Sequence, residues 1–113
     1  MHVFSRWGKL LKSINRGVEL HHLAFTRDGR QAWVTDDGGN RVFVISARSL
    51  RVVASRRTRG TPHHLALTPD GRRMVVANHD RGTLAVFSVS TRKRRRAIRV
   101  GEGPHGAWTG LRP

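Results

Sequence analysis

The chain has 113 residues, and its 22 Lys and Arg residues against 7 Asp and Glu residues give a formal net charge of +15. This length is enough for one small domain, and a surface this positive attracts polyanions such as nucleic acid at low salt. The absence of cysteine excludes disulfides, thiolate metal sites and cysteine nucleophiles. No apolar run approaches the ~18 residues that a membrane span needs, and the N-terminus lacks the apolar stretch of a signal peptide. As written, the chain is therefore expected in the cytoplasm.

An internal repeat with a shift of 42 residues runs through the chain. The clearest match joins HHLAFTRDGR at 21–30 to HHLALTPDGR at 63–72, with eight of ten positions identical. Pro62-His63 recurs as Pro104-His105, and the N-terminal Val3-Phe4-Ser5 is similar to Val86-Phe87-Ser88. A repeat of this length indicates a solenoid, a propeller or a similar array of equivalent units.

In chain order, each unit consists of short strands separated by turn residues. In the first unit, the strands predicted after its histidine segment are Ala32–Asp36, Arg41–Ser46 and Arg51–Ser55. In the second unit, the four predicted strands are His64–Thr68, Met74–Asn78, Thr83–Ser88 and Arg95–Val100. Pro69-Asp70-Gly71 ends the first of these, because Pro presets the first turn dihedral and Gly accepts the positive φ that follows. No segment shows a sustained helical period.

The composition across each unit predicts how the strands are arranged. The first three strands are almost continuously apolar, as in Val42–Ile45, which is typical of strands buried on both faces. The fourth is charged, as in Arg94–Arg99, which is typical of a solvent-facing edge. Four strands per unit of about 40 residues predict an all-β fold, a partial β-propeller of four-stranded antiparallel blades. Its predicted parts are the last strands of an incomplete blade (1–17), two full blades (18–60 and 61–102) and the first strand of a further blade (103–113).

The second-strand motifs resemble the YVTN family of β-propeller repeats. Trp33-Val34-Thr35-Asp36 and Val75-Val76-Ala77-Asn78 stand where that family has Tyr-Val-Thr-Asn, and Thr68-Pro69-Asp70-Gly71 stands where it has Ser-Pro-Asp-Gly. The family's third-strand Asp is replaced by Ser46 and Ser88. The resemblance covers nearly the whole chain and implies a closed ring, in a periplasmic or secreted protein if the chain is part of a longer precursor. Related propellers include lactonase-like rings and rings with haem d1 or quinone-linked redox chemistry.

Two full blades cannot close such a ring, so two blade faces would stay open. Open faces predict a protein partner or self-association, either because the chain is a fragment of a larger propeller or because protomers complete each other. The function expected from this is a non-catalytic binding or interaction scaffold. An enzyme is not favoured, since the sequence has no nucleophile elbow, no Gly-x-Gly-x-x-Gly and no P-loop.

Three histidines, His21, His63 and His105, occupy the same position at the entry of successive innermost strands. Such a column at a channel mouth could bind a metal ion such as Zn, Cu or Fe. It could also supply an axial ligand to haem, which would make the chain a segment of a redox propeller. The spacing of 42 is a fold period, however, and no carboxylate shares the column. The alternative is structural: each histidine bonds to the backbone of a neighbouring blade.

The densest basic run comprises Arg92, Lys93, Arg94, Arg95 and Arg96. It could clamp phosphates in a charge-driven nucleic-acid-binding module, and non-specific binding of polyanions is expected from the net charge. No aromatic residue interleaves with the run, which weakens the case for stacking on single strands. A solvated rim of the outermost strand is the alternative interpretation.

Overall fold

The computed structural model describes residues 1–100, and within them every regular element of the chain except one short 3-10 helix is a β-strand. Its strands and one short 3-10 helix are β1 (His2–Phe4), β2 (Leu10–Ser13), β3 (Leu20–Phe25), β4 (Gln31–Asp36), the 3-10 helix (Asp37–Gly39), β5 (Arg41–Ser46), β6 (Val52–Arg57), β7 (Pro62–Leu67), β8 (Arg73–Asn78), β9 (Thr83–Ser88) and β10 (Arg94–Arg99). In this part of the chain no helix is long and apolar enough to span a membrane.

The strands form one hairpin and two four-stranded antiparallel sheets. The hairpin joins β1 to β2, the first blade has the order β3-β4-β5-β6, and the second blade has the order β7-β8-β9-β10. Each strand of the second blade starts 42 residues after its counterpart in the first, at positions 62, 73, 83 and 94 against 20, 31, 41 and 52. The partial propeller with this repeat is therefore confirmed. The fourth strands differ slightly from prediction, since β6 starts at Val52 and β10 at Arg94.

The turn after each innermost strand follows from its Asp-Gly pair. Gly71 has a φ of +72°, and Gly29 at the equivalent position has a φ of +71°. Asp70 Oδ1 accepts hydrogen bonds from the Thr68 hydroxyl at 2.6 Å and from the Arg72 amide at 3.0 Å. These bonds, with that from Thr68 the larger cause, lower the pKa of Asp70. The side chain thus replaces backbone partners that a tight turn leaves unpaired.

The main core lies between the two blades. Trp33, Val42 and Val44 of the first blade face Leu65, Met74, Val76, Ala85 and Phe87 of the second. The rings of Trp33 and Phe87 meet edge to face, with centroids 5.8 Å apart. A second cluster, Ile14, Ala32, Val34 and Ile45, lies between the hairpin and the opposite face of the first blade. The central strands of the first blade are therefore buried on both faces, as their apolar runs predicted.

A buried polar residue ends the second strand of each blade and anchors the segment that enters the blade. Asp36 accepts hydrogen bonds from the amides of Val18 and Glu19, at 3.0 and 2.8 Å, and from Arg41 Nε at 3.0 Å. Burial raises the pKa of Asp36, but these hydrogen bonds outweigh it and lower the pKa overall. Asn78, at the equivalent position, donates to the carbonyl of Thr58 at 2.8 Å. The last position of the YVTN-type motif is therefore a structural clamp.

Candidate functional site

The inner strands β3 and β7 lie side by side, so histidines that are 42 residues apart become neighbours. The rings of His21 and His63 are 4.1 Å apart between centroids, and those of His22 and His64 are also 4.1 Å apart. The structure therefore brings together two of the three histidines of the predicted column. The third, His105, lies outside the described residues.

Thr35 connects the two inner strands at this level. Its Oγ1 accepts a hydrogen bond from the His22 amide at 3.0 Å and lies 3.2 Å from the carbonyl oxygen of His63 in the next blade. The side chain is fully buried. A threonine hydroxyl therefore links the inner strands of the two blades at this level. The second blade has Ala77 at this position and lacks the hydroxyl.

No carboxylate shares the histidine position in the repeat, but one reaches His63 from another element. Asp37 begins the 3-10 helix after β4, and its Oδ2 lies 3.8 Å from Nδ1 of His63. One ligand atom each of His21, Asp37 and His63 lies within 4.8 Å of the others. The side chains of Asp37 and His63 are 18% and 31% exposed. The set is therefore partly shielded but reachable from solvent.

The 42-residue repeat also points to Asp37, which the histidine column alone does not. A shift of 42 maps Asp37 onto His79, whose ring centroid lies 6.0 Å from that of His63. The position directly after the clamp residue thus carries a metal-ligating residue type in both blades. The same shift maps His21, Asp37 and His63 onto His63, His79 and His105.

Two polar atoms near the column are buried without a hydrogen-bond partner within residues 1–100, namely Asp37 Oδ1 and His22 Nδ1. An unpaired buried polar group costs about 1–3 kcal/mol. Burial lowers the pKa of His22, and the nearby His64, His21 and His63 lower it further. His22 is therefore held in its neutral form to a lower pH than a free histidine.

The basic run lies at the other edge of the second blade from the histidines. It includes the start of β10, and β10 is the last strand in the order that begins with β7. Lys93, Arg95 and Arg96 are exposed, whereas Arg92 and Arg94 are half-buried. The carbonyl of Arg92 accepts a hydrogen bond from Arg56 Nε at 2.8 Å, which connects the outer edges of the two blades. The run and the histidine column are therefore separate surfaces.

The first blade has an apolar patch that the hairpin leaves uncovered, called here the open face, formed by Leu23 and Phe25 of β3. These side chains are 42% and 57% exposed. A groove of about 410 Å³ lies beside them, lined by Met1, Leu20, His21, His22, Leu23 and Val34. The hairpin cluster buries Ala32, Val34 and Ile45 and also contacts Leu20 at the start of β3, but Leu23 and Phe25 stay exposed.

Comparison with known proteins places this geometry in context. A model of the YNCE-like beta-propeller family matches residues 2–112. No curated protein sequence matches the chain. Among solved structures it is similar to dihydro-haem d1 dehydrogenase NirN in complex with DHE, with a TM-score of 0.81, 20% identity, and coverage of 93% of this chain and 24% of that chain.

Two further solved structures also match most of this chain with a part of their own length. Hydrazine synthase of Kuenenia stuttgartiensis has a TM-score of 0.73 and 24% identity, with coverage of 85% of this chain and 28% of that chain. The periplasmic gluconolactonase PpgL of Pseudomonas aeruginosa has a TM-score of 0.67 and 25% identity, with coverage of 90% and 34%. The chain thus spans between 24% and 34% of the length of these three structures. The likenesses show the β-propeller fold.

Proposed function

Since the chain belongs to the YNCE-like β-propeller family, as its YVTN-type motifs predicted, we propose that it acts as a non-catalytic binding module. Its binding surface is the open face, and its partner is a protein that supplies inner propeller strands. The observation that carries the proposal is the exposure of Leu23, 42%, against that of its repeat counterpart Leu65, 1%.

The repeat explains what kind of surface would cover the open face. Leu65 is buried because the first blade presents Trp33, Val42 and Val44 to it. Leu23 has the same place in the first blade, but among residues 1–100 the strands on that side are the two of the hairpin. A four-stranded blade at this position needs two more strands on the inner side of β1. The partner of the open face is therefore apolar and strand-like.

A second copy of the chain fits this description. By the 42-residue repeat, the faces of its two blades are complementary. The face of the first blade that covers Leu65 includes Trp33 and Val44, and a shift of 42 maps these onto Val75 and Val86. Each copy carries a formal charge of +15, so the copies repel each other at low salt. Apolar association should therefore strengthen as salt screens this repulsion.

The test is the molar mass in solution at about 0.5 M NaCl, where the Debye length is only a few ångströms. The proposal predicts that the parent chain associates and that Leu23→Asp is monomeric, because a carboxylate on the open face opposes burial. Val53→Asp is the matched control, since Val53 is also 42% exposed but lies on the outermost strand β6. It should associate like the parent chain.

Three results would count against the proposal. One is a folded, monodisperse parent monomer at every concentration. A second is an association that Leu23→Asp and Val53→Asp weaken equally. Association that disappears as salt increases would also contradict it, because this is the behaviour of charge-driven contacts.

A further inference from the structure

We propose that His21, Asp37 and His63 form a binding site for one divalent transition-metal ion of the Zn²⁺ class, placed between the inner strands of the two blades. Each residue offers one ligand atom, and these atoms lie within 4.8 Å of one another. The site lies outside the open face, although His21 also borders the groove beside it. It therefore adds a second binding activity to the proposed function.

The ligand set has the right chemistry for such an ion. Two imidazole nitrogens and a carboxylate oxygen suit Zn²⁺ and its first-row neighbours, whereas Mg²⁺ and Ca²⁺ prefer oxygen ligands only. Zinc ligands lie about 2.0–2.2 Å from the ion, so tetrahedral ligand atoms are roughly 3.4 Å apart. The longest separation between ligand atoms must therefore shorten by up to about 1.4 Å, which side-chain rotation can supply. Three protein ligands leave one position for water or another ligand.

The backbone around the three ligands is already fixed. Thr35 connects the strands that carry His21 and His63 through its hydroxyl. Asp37 follows directly after the buried clamp Asp36, and its amide donates to the carbonyl of Glu19 at 2.8 Å. Ligands from rigid elements lose little conformational entropy when an ion binds, which favours affinity.

An independent observation also points to a cation. Asp37 Oδ1 is buried and has no hydrogen-bond partner within residues 1–100. A buried carboxylate oxygen without a partner destabilises the folded chain, and a bound cation would offset this cost. The neighbouring pair His22 and His64 has the same ring separation of 4.1 Å. It belongs to no ligand cluster among the described residues, so it serves as an internal comparison.

The experiment is a calorimetric titration of the full chain with Zn²⁺ at pH 7.5, repeated by following Co²⁺ absorption. The proposal predicts one ion per chain, with at least roughly tenfold weaker binding for His21→Ala and for the isosteric Asp37→Asn, because each removes a ligand. His22→Ala is the matched control, since it removes an adjacent imidazole from the other pair. Its affinity should stay within about threefold of the parent chain. Far-UV circular dichroism in EDTA checks that every variant is folded.

Several outcomes would overturn the proposal. These are no stoichiometric Zn²⁺ binding by the parent chain, unchanged affinity in Asp37→Asn, or a loss in His22→Ala as large as in His21→Ala. Binding must also weaken as the solution is acidified, because protons compete with the ion for the ligand atoms. The Leu23→Asp variant should still bind Zn²⁺, so a failure of self-association and a failure of the metal site give different results.

Discussion

The two blades of this protein have the same strand order and closely related sequences, yet they differ in burial at equivalent positions. Leu65 on the inner strand of the second blade is 1% exposed, whereas Leu23, its counterpart 42 residues earlier, is 42% exposed. The difference does not come from the residue, which is leucine in both blades. It comes from the neighbour, because a whole blade covers Leu65 and a two-stranded hairpin leaves Leu23 uncovered. In a repeat fold, the burial of a side chain therefore depends on which unit packs against it as well as on its own sequence.

The largest expected effect comes from truncating each of the two leucines to alanine. We expect Leu65→Ala to lower the free energy of unfolding by about 2–5 kcal/mol, because it opens a cavity in the main core. Leu23→Ala should cost less than about 1 kcal/mol at low protein concentration, because the side chain is partly solvated. Chemical denaturation of both variants under the same conditions measures the difference. Equal losses would show that the two environments are alike.

The two clamp residues differ in chemistry and should not be interchangeable. Asp36→Asn should cost about 1–3 kcal/mol, because the amides of Val18 and Glu19 lose part of their shared acceptor. The Asp36→Asn variant should also lose less unfolding free energy than the parent chain as the pH falls. The pKa of Asp36 is lowered in the folded chain, so its stabilisation is complete above its ordinary value of 3.8 and is lost as the pH falls through the folded value. Unfolding measured between pH 7 and pH 2 tests this, and an unchanged acid profile would contradict it.

A smaller effect is expected where the first blade has a hydroxyl that the second lacks. Thr35→Ala makes this position identical to Ala77 and removes the contact with the His63 carbonyl. The expected loss is about 1 kcal/mol of unfolding free energy. Thr35→Ser keeps the hydroxyl and is the control. In thermal unfolding it should retain most of the stability that Thr35→Ala loses. If Ser and Ala destabilise equally, the contribution of Thr35 comes from its methyl group.

The smallest expected effect concerns the pH dependence of the inner histidines. Burial, His64, His21 and His63 lower the pKa of His22, so folding favours its neutral form. The stability that the neutral His22 side chain contributes is complete above the ordinary histidine pKa of 6.5. It declines as the pH falls below 6.5 toward the lowered pKa of the folded chain. His22→Leu should therefore flatten the stability profile between pH 7.5 and pH 5 relative to His2→Leu, which removes an exposed histidine on the hairpin. Parallel profiles for the two variants would contradict this.

The sequence predicted the fold well because local signals and the repeat agreed. Asp70-Gly71 and its copy Asp28-Gly29 mark the turns, and the apolar runs mark the buried strands. Strand ends were within two residues of prediction: β6 ends at Arg57 instead of Ser55, and β7 starts at Pro62 instead of His64. Proline at the first position of a strand loses no ladder bond, so the strand can begin there.

The site was predicted only in part, because its contacts cross between elements. The repeat placed His21 and His63 at equivalent positions, and their proximity follows from blade stacking. Asp37 was not expected near them, since its reach depends on the conformation of the 3-10 helix after β4. Thr35 was expected only as a motif residue, because its partner is a backbone carbonyl in the other blade. Such contacts leave no local pattern in one sequence.

The most direct test of the open face uses the absence of cysteine from the chain. Single cysteines introduced as Leu23→Cys, Leu65→Cys and Val53→Cys report burial through their rates of thiol labelling. If a second copy covers the open face, Leu23→Cys is labelled quickly in dilute solution and slowly in concentrated solution at high salt. Leu65→Cys is labelled slowly and Val53→Cys quickly at both concentrations. A rate for Leu23→Cys that is fast and independent of concentration would contradict the account.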